Sequence, residues 1–404
     1  MNRRAFLATA AAFGVAGCEL NLSEGLFNAC AAHLPDRLRT DPLVAAAWRG
    51  LDATNVWDVH CHVFGNGDSD SGLWFSPALE RAVSVQGYLQ RLFYLNASCA
   101  HEAPGQVDES VIDRLLNQCE DMPDGFRTLL FAFDWARDNA GRPSTEHSTF
   151  YVPDDYCAKL ADRFAQRFLW AASIHPYDPA ALDRVDAAAA RGARAIKWLP
   201  SAQGIDPASA RCDRFYARLA ELRLPLITHA GDERAVRGHD ETLGNPLRLR
   251  RPLDAGVRVI VAHCASLGMG RDLDRGGPDM LPNFDLFARL MDDPRYARNI
   301  AGDISAVTQG NRADAIATLL ARRDWHARLL NGSDYPLPGV LPLISLSSLT
   351  DRELLDPAAV PPLKEIRNHN VLLFDFVLKR SLASNGGGFA PSVFETRRYF
   401  DSSV

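Results

Sequence analysis

The stretch Val56-Trp57-Asp58-Val59-His60-Cys61-His62 is a short apolar run that ends in two histidines. Its β-branched and aromatic residues are typical of a strand. Residues two apart on a strand point to the same side, so His60 and His62 can reach one metal ion. The alternative is a pair of hydrogen-bonded core histidines. The pattern favours a buried strand that carries metal ligands at its C-terminal end.

Runs of the same kind recur along the chain, and each is followed by a helical pattern. Alternating strands and helices produce a parallel sheet, and eight such units close into a barrel. The sequence therefore predicts an α/β fold, a (β/α)8 TIM barrel. The predicted strands are residues 56–60, 128–134, 168–175, 193–199, 224–229, 257–263, 299–305 and 328–333, and the predicted helices include 179–191, 212–222 and 312–322.

Ionisable side chains stand near the C-terminal ends of most predicted strands. That end of a (β/α)8 barrel is the catalytic face, so we expect these side chains to form one ring. Singly, each histidine has an alternative as a core residue, and Asp334 has one as a helix N-cap. Their joint placement favours a site. The ring comprises Asp58, His60 and His62 at the first strand, Lys197 in the fourth, His229 and His263 ending the fifth and sixth, and Asp334 after the eighth.

These residues make the chain resemble the amidohydrolase superfamily, and within it the amidohydrolase-related branch of metal-dependent hydrolases and decarboxylases. The resemblance spans residues 55–382 and rests on the motifs His60-Cys61-His62 and Gly332-Ser333-Asp334-Tyr335-Pro336, with histidines ending strands five and six. It implies that His60, His62, His229 and Asp334 bind a divalent metal. Zinc is the expected metal, and one ion is favoured over two.

The resemblance also implies a reaction. A metal-activated water would attack an amide, lactone or ester carbonyl of a small-molecule substrate. Asp334 would take the proton and pass it to the leaving group, while His263 would hold or polarise the carbonyl. Non-oxidative decarboxylation of a small carboxylic acid is the alternative, and a non-catalytic binding lipoprotein is a third reading. Hydrolysis is favoured because an exported enzyme meets polymers and xenobiotics more readily than metabolic intermediates.

Four further polar residues have open roles. Lys197 resembles the carbamylated lysine that bridges two metals in other branches, and the alternative is an unmodified cation that binds a substrate carboxylate. Arg248 and Arg250 are candidates for anchoring an anionic substrate, with surface positions as the alternative. Asp303 is left outside the core site, because a structural hydrogen bond explains it equally well.

The chain opens with Arg3-Arg4, an Ala-rich apolar stretch and Val15-Ala16-Gly17-Cys18. The apolar stretch is too short to span a bilayer. The paired arginines resemble a twin-arginine export signal, and residues 15–18 resemble a lipobox, in which the cysteine is lipidated. We therefore expect a signal peptide (1–17), a tether and lead-in (18–50), the barrel (51–382) and a tail (383–404). The protein is expected on the periplasmic side of a bacterial envelope, anchored to the membrane through Cys18.

Bulk composition adds two limits. With a formal net charge of -6 and no aromatic residues interleaved in its basic run Arg248, Arg250 and Arg251, the 404-residue chain has no signature of nucleic-acid binding. Beyond Cys18 the cysteines are scattered, so most are expected to be core thiols with one or two disulfides at most.

The long connection after the first strand, residues 63–127, is predicted to be a lid with helices at 86–95 and 108–119. A solvent-facing elaboration is the alternative.

Overall fold

The computed structural model of the protein describes residues 25, 27–80, 91, 94–101, 103–138, 140–236, 240–275 and 277–401. The predicted signal and Cys18 lie outside these residues. All eight predicted strands are present, most of them shorter than predicted. They are β1 (Trp57–His62), β2 (Arg127–Phe131), β3 (Phe168–Ala171), β4 (Ile196–Trp198), β5 (Leu226–His229), β6 (Val259–Ala262), β7 (Ile300–Asp303) and β8 (Leu329–Leu330).

The strands follow one another around a closed ring in chain order. Parallel ladders join β1 to β2 and β2 to β3, and further parallel ladders join each consecutive pair of strands from β4 to β8. A parallel bridge between Ala172 and Ile196 connects β3 to β4. Where the ring closes, the backbone N–H of Asp334 donates to the His60 carbonyl at 2.8 Å. Closure of eight parallel strands confirms the (β/α)8 barrel.

Side chains fill the inside of the barrel, so it is a packed core with its functional groups at the mouth. A separate, larger apolar cluster lies between the strands and the surrounding helices. The interior cluster consists of Trp57, Val59, Leu129, Phe131, Leu169, Ala171, Ala195, Ile227, Ile260, Ala301 and Leu330.

Helices follow the strands and pack their apolar faces on the outside of the barrel. The helices predicted at 108–119, 179–191, 212–222 and 312–322 are confirmed, whereas the one predicted at 86–95 falls largely outside the described residues. No helix in the described ranges is long and apolar enough to cross a membrane. The main helices are α1 (Val107–Glu120), α2 (Asp154–Arg163), α3 (Ala181–Ala190), α4 (Asp213–Leu222), α5 (Arg250–Asp254), α6 (Asn283–Asp292), α7 (Asp314–Ala321), α8 (Val360–His369) and α9 (Val371–Ser381).

Shorter elements decorate this frame. Three small antiparallel pairs join Trp74–Phe75 to Phe150–Tyr151, Met269–Arg271 to Met280–Pro282, and Ala383–Ser384 to Gly387–Gly388. The short helices are Asp36–Arg39, Pro42–Trp48, Pro77–Glu80, Pro200–Gln203, Leu346–Asp351 and Arg397–Asp401.

A bulge in β1 decides which of its side chains reach the mouth. The pairing register with β2 shifts between Asp58 and Cys61. Trp57, before the shift, and Val59, within it, both pack in the barrel interior. An extra residue in a strand re-aims the side chains that follow it. His60 and His62 consequently both point into the mouth, where their ring nitrogens lie 3.2 Å apart.

Asp58 is a correction to the predicted ring, because its carboxylate turns towards the loop after β8. It accepts hydrogen bonds from Ser333 N at 2.8 Å and Ser333 Oγ at 2.5 Å. The buried Lys379 of α9 donates to the Gly332 carbonyl and to Asp375, each at 2.6 Å. Asp58 and α9 therefore hold from two sides the loop that carries Asp334.

Two features fix the long connection after β1. A disulfide joins Cys30 in the lead-in to Cys99 in this connection. The buried carboxylate of Asp108, at the start of α1, accepts hydrogen bonds from Asn66 N at 2.9 Å and Ser71 Oγ at 2.6 Å. The remaining cysteines of the described chain are free and buried, namely Cys61, Cys119, Cys157, Cys212 and Cys264.

Candidate metal centre

The predicted ring residues other than Asp58 line the mouth of the barrel. Their side chains are almost fully buried, except that of His62, which is 26% exposed. His62 therefore borders the route by which solvent and ligands reach the centre. The group consists of His60 and His62 on β1, Lys197 on β4, His229 on β5, His263 directly after β6 and Asp334 after β8.

Two of these residues adopt a left-handed backbone conformation, with φ of 54° at His263 and 60° at Asp334. Such a conformation costs a non-glycine residue on the order of 1–3 kcal/mol, so neighbouring contacts must hold it in place. The His263 N–H donates to Asp303 Oδ1 at 2.9 Å. The Asp334 N–H donates to the His60 carbonyl at 2.8 Å. These contacts let the chain turn sharply while both side chains stay at the mouth.

His60, His62 and Asp334 form a compact triangle of ligand atoms. His60 Nε2 lies 3.2 Å from His62 Nε2 and 3.4 Å from Asp334 Oδ1, and His62 Nε2 lies 3.3 Å from the same oxygen. Ligand atoms about 2.0–2.1 Å from a tetrahedral zinc ion are roughly 3.3–3.4 Å apart. The triangle therefore has the dimensions of three ligands of a single metal ion.

Asp303 sets the tautomer of His60. Burial lowers the pKa of His60 to about 4, so the ring is neutral near pH 7. Its Nδ1 lies 2.9 Å from Asp303 Oδ2 and donates its proton there. Although burial raises the pKa of Asp303, the His60 ring holds it well below the usual range. His60 Nε2 therefore presents its lone pair to the triangle, as in carboxylate–histidine–metal arrangements.

His263 is oriented by Ser305. Its Nδ1 lies 2.8 Å from Ser305 Oγ and 3.1 Å from the Ser305 carbonyl oxygen. The Ser305 hydroxyl is engaged by Asp303 in a very short contact. A carbonyl only accepts hydrogen bonds, so the Nδ1 of His263 carries the proton. Burial lowers the pKa of His263 well below its ordinary value, and Nε2 of the neutral ring therefore faces the mouth as an acceptor.

Lys197 lies inside the ring of histidines. Its Nζ is 3.3 Å from His60 Nε2 and 4.6 Å from the centre of the Phe131 ring. Burial lowers the pKa of Lys197 to about 8. This position suits both predicted roles, a bridge between two metals and a cation that meets the substrate.

His229 lies outside the triangle, on the side of His263, with 5.4 Å between the two ring centroids. Burial lowers its pKa well below the ordinary value, and neither ring nitrogen has a hydrogen-bond partner among the residues that the structure describes. Leaving buried polar atoms unpaired costs roughly 1–3 kcal/mol each. A divalent cation satisfies such nitrogens, and neutral imidazoles with carboxylates are its usual donors. The residues present therefore fit the metal that the fold leads one to expect, and the role of His229 as fourth ligand remains a prediction.

The two arginines proposed as substrate anchors are engaged with carboxylates. Arg248 Nη1 lies 2.9 Å from Asp206 Oδ1, and Arg250 Nη2 lies 2.9 Å from Asp274 Oδ2. Their substrate role remains a prediction. A different guanidinium, that of Arg312, acts on the centre. Arg312 is buried, and its charge adds to the lowering of the pKa of both His229 and His263.

Sequence reasoning missed Asp303, Ser305 and Glu233 as parts of the centre. Asp303 ends β7, at the same level of the barrel as the histidines, so its place at a strand end could have indicated that it belongs to the centre. Ser305 follows two residues later, so the same strand end signals it. Glu233 had no such signal, because it lies in the loop beyond His229 and reaches the centre only through the fold of that loop.

Fold and site together define a class, a (β/α)8 barrel whose mouth carries histidine and aspartate groups suited to a divalent metal. The amidohydrolase family model Amidohydro_2 matches residues 57–362, and the chain belongs to this amidohydrolase family. Members of the family are metal-dependent enzymes that act as hydrolases or decarboxylases. A comparison with curated proteins finds no match.

Several solved structures are similar to the chain. One is an uncharacterised TIM-barrel protein from Bordetella bronchiseptica, at 15% identity over 76% of this chain and 94% of that chain, with a TM-score of 0.49. A probable 2-pyrone-4,6-dicarboxylic acid hydrolase from Acinetobacter baumannii matches at 14% identity over 79% and 97%, with a TM-score of 0.42. A 2,6-dihydroxybenzoate decarboxylase from Rhizobium matches at 13% identity over 79% and 98%, with a TM-score of 0.41.

Proposed function

We propose that the chain is a metal-dependent hydrolase that cleaves an amide, lactone or ester bond in a small molecule. The placement of Asp334 carries this proposal. One oxygen of its carboxylate belongs to the triangle with His60 and His62, and the other lies 4.0 Å from His263 Nε2. Although burial raises its pKa, the surrounding histidines hold the pKa of Asp334 well below the usual range. The carboxylate is therefore ionised, which is the form that a proton acceptor needs.

The reaction follows from what these side chains can do. A bound divalent cation would supply Lewis acidity and lower the pKa of water at the centre. Asp334 accepts the proton that the attacking water releases and returns it to the leaving group. The buried histidines limit the access of bulk water and keep the carboxylate oriented.

The hydrogen bonds of His263 modify the role expected from the sequence. A residue that polarises a carbonyl must donate from Nε2, but the Ser305 carbonyl places the proton on Nδ1. Nε2 of the neutral ring therefore accepts a proton first and donates only afterwards. We propose that His263 shares the proton with Asp334 during turnover, since Nε2 and Oδ2 face each other.

We further propose that the centre holds one zinc ion and that Lys197 is unmodified and meets the substrate. The triangle with His60 and His62 supports a single ion, because Asp334 completes it without the lysine. Substituting Lys197→Met is expected to raise the KM for substrate and to leave metal content near one ion per chain. Metal content near two per chain, with an intact mass that includes a carbamate, would show instead that Lys197 is a bridge.

The test of the main proposal is a paired screen. The purified protein is analysed for bound metal and assayed against lactones, esters and amides beside carboxylated phenols. Hydrolysis that stops when the metal is chelated and returns on adding zinc is the expected result. Asp334→Asn should keep the fold and lose turnover. Release of CO2 with no hydrolysis of any candidate would show a decarboxylase, and tight binding without turnover would show a binding protein.

We also propose that the protein is exported and lipid-anchored on Cys18, on the periplasmic side of the envelope. The Arg3-Arg4 pair and the lipobox-like residues before Cys18 support this, as does the Cys30–Cys99 disulfide, since disulfides persist in oxidising compartments. Cys18→Ser is expected to move the protein from the membrane fraction to the soluble fraction. Unchanged fractionation of that variant would contradict the anchor.

A further inference from the structure

Glu233, four residues beyond His229, has a buried carboxylate that the proposed reaction does not use. Its side chain is 8% exposed. Its Oε1 accepts hydrogen bonds from the backbone N–H groups of Ala235 at 2.6 Å and Val236 at 3.0 Å. These two bonds fix the carboxylate and leave Oε2 directed at His229 Nε2, which lies 3.3 Å away.

The fold of the loop brings this carboxylate back to the strand end. Gly231 has a left-handed φ of 88°, and a Cβ at this position would lie 2.7 Å from the Leu267 carbonyl oxygen. Only glycine fits such a turn without strain. The turn places Glu233 beside the side chain of His229 instead of out over the surface.

The contact between Glu233 and His229 lacks the geometry of a hydrogen bond. Within the described parts of the chain, both ring nitrogens of His229 are buried without a hydrogen-bond partner, even though Oε2 is within 3.3 Å of Nε2. Their separation instead equals the edges of the triangle formed by His60, His62 and Asp334, which are 3.2, 3.3 and 3.4 Å long. Two ligands of a tetrahedral cation stand roughly 3.3–3.4 Å apart. The pair therefore has the spacing of two ligands of one cation.

We propose that Glu233 supplies a carboxylate oxygen to the metal centre beside His229. This inference rests on the metal-dependent function proposed above and adds a ligand from the loop after β5. His229 and Glu233 would then act on the cation together with the triangle. A cation held by both groups would also satisfy a ring nitrogen of His229, which has no hydrogen-bond partner among the described residues.

Metal binding tests the inference without any substrate. The full chain is stripped with a chelator and titrated with Zn²⁺ against a chromogenic competitor, and the visible spectrum of its Co²⁺ form is recorded. Glu233→Gln keeps an oxygen that accepts from the backbone amides but removes the charge. We expect its affinity for Zn²⁺ to fall on the order of 100-fold, as for loss of a group that holds a metal. We also expect its Co²⁺ bands to change.

Asp232→Asn is the matched control. It makes the same change of charge one residue earlier, on a carboxylate that pairs with Arg234 at 3.0 Å. It should bind Zn²⁺ like the wild type. Thermal unfolding of the metal-free forms checks that both variants fold, and Glu233→Asp, which keeps the charge on a shorter stem, should fall between wild type and Glu233→Gln.

Each outcome separates this inference from the proposed function. Wild-type affinity and spectrum in Glu233→Gln overturn the inference alone. Weaker binding with an unchanged Co²⁺ spectrum also overturns it, because Glu233 would then only brace the loop. A wild-type chain that binds Zn²⁺ but hydrolyses nothing overturns the proposed function alone. A wild-type chain that binds no divalent cation overturns both.

Discussion

The position of the proton on the His60 ring couples Asp303 on one side of the ring to the triangle of ligand atoms on the other. Asp303 accepts the hydrogen bond from Nδ1 on one side of the ring, and the lone pair of Nε2 on the other side faces His62 and Asp334. Asp303 also accepts from the His263 N–H, so the same carboxylate orients a second histidine. Because its pKa lies well below the ordinary value, it does this as an anion across the working pH range. Asp303 is therefore a positioning residue whose loss should weaken metal binding.

Asp303→Asn tests that role. The amide keeps the size of the side chain but removes the charge that stabilises the Nδ1–H tautomer of His60. We expect Zn²⁺ affinity to drop about 10–100-fold, the usual effect of removing a group that orients a metal ligand. Competition with a chelator measures this drop. Asp272→Asn, a buried carboxylate paired with Arg289 at 2.8 Å, controls for general effects of losing a buried charge. Equal affinities in wild type and Asp303→Asn would contradict the assignment.

At the scale of elements, the loop after β8 is held by contacts from two neighbouring elements. Asp58 of β1 accepts two hydrogen bonds from Ser333, and Lys379 of α9 donates to the carbonyl of Gly332. Asp334 follows directly, so both contacts bear on the geometry of the triangle. Lys379 is fully buried, and its only countercharge within 4 Å among the described residues is Asp375.

Removing Lys379 should destabilise the fold in a pH-dependent way. Burial raises the pKa of Asp375 to about 7, and Lys379 opposes that rise. Lys379→Met therefore raises this pKa further. A carboxyl whose pKa is higher in the folded than in the unfolded state binds more protons when folded, so stability falls as pH rises towards the folded pKa. We expect a loss of about 3–5 kcal/mol at about pH 8 and a smaller one at about pH 6, measured by denaturant unfolding.

The double variant Asp375→Asn/Lys379→Met is the control for this prediction. It removes both charges, so no uncompensated buried ion is left, and replacing a buried pair as a whole is often close to neutral. Its stability should recover most of the loss and should vary less with pH. A Lys379→Met variant with the same stability at both pH values would contradict the argument.

The loop of residues 65–72 depends on one carboxylate in α1. Asp108 accepts from the backbone of Asn66, Gly67 and Ser69 and from the hydroxyls of Ser69 and Ser71. Asp108→Ala leaves these donors without a partner. We expect faster proteolysis within residues 65–72 and a change in substrate preference if the connection is a lid. Glu109→Ala, on the exposed side of the same helix, should behave like the wild type. Equal cleavage rates would show that the loop holds its shape without Asp108.

At the scale of the whole molecule, the barrel could be predicted from the sequence because its signal is repeated. Eight apolar runs indicate the strand order, ionisable residues at the C-terminal ends of most of them indicate the functional face, and all eight strands appear in the structure. The triangle of His60, His62 and Asp334 followed from the same reasoning. These features depend on the alternation of strand and helix patterns along the chain, which can be read directly from a single sequence.

Other parts of the site depend on relations that a single sequence does not display. Asp58 lies before the bulge in β1 and His60 within it, so their side chains are directed differently, and bulges arise from pairing between strands. Asp303 and Glu233 act through hydrogen bonds across the mouth, so their roles need the three-dimensional positions of their partners. The pairing of Cys30 with Cys99 was equally open, because scattered cysteines allow many connectivities.

That disulfide gives the last prediction, which concerns the whole chain. It joins residues 69 apart in sequence and ties the lead-in to the connection after β1. Closing a loop of that length in the unfolded chain is worth about 4 kcal/mol in the chain-entropy model. The Cys30→Ser/Cys99→Ser variant should therefore lose about 2–4 kcal/mol of unfolding free energy, measured with denaturant.

A reductant should lower the unfolding free energy of the wild type to the same value and leave that of the variant unchanged, because the other described cysteines are free thiols. Zn²⁺ affinity should stay equal in all forms, since the triangle lies on β1 and after β8, neither of which carries the disulfide. A variant as stable as the oxidised wild type would show that hydrogen bonds alone secure the lead-in.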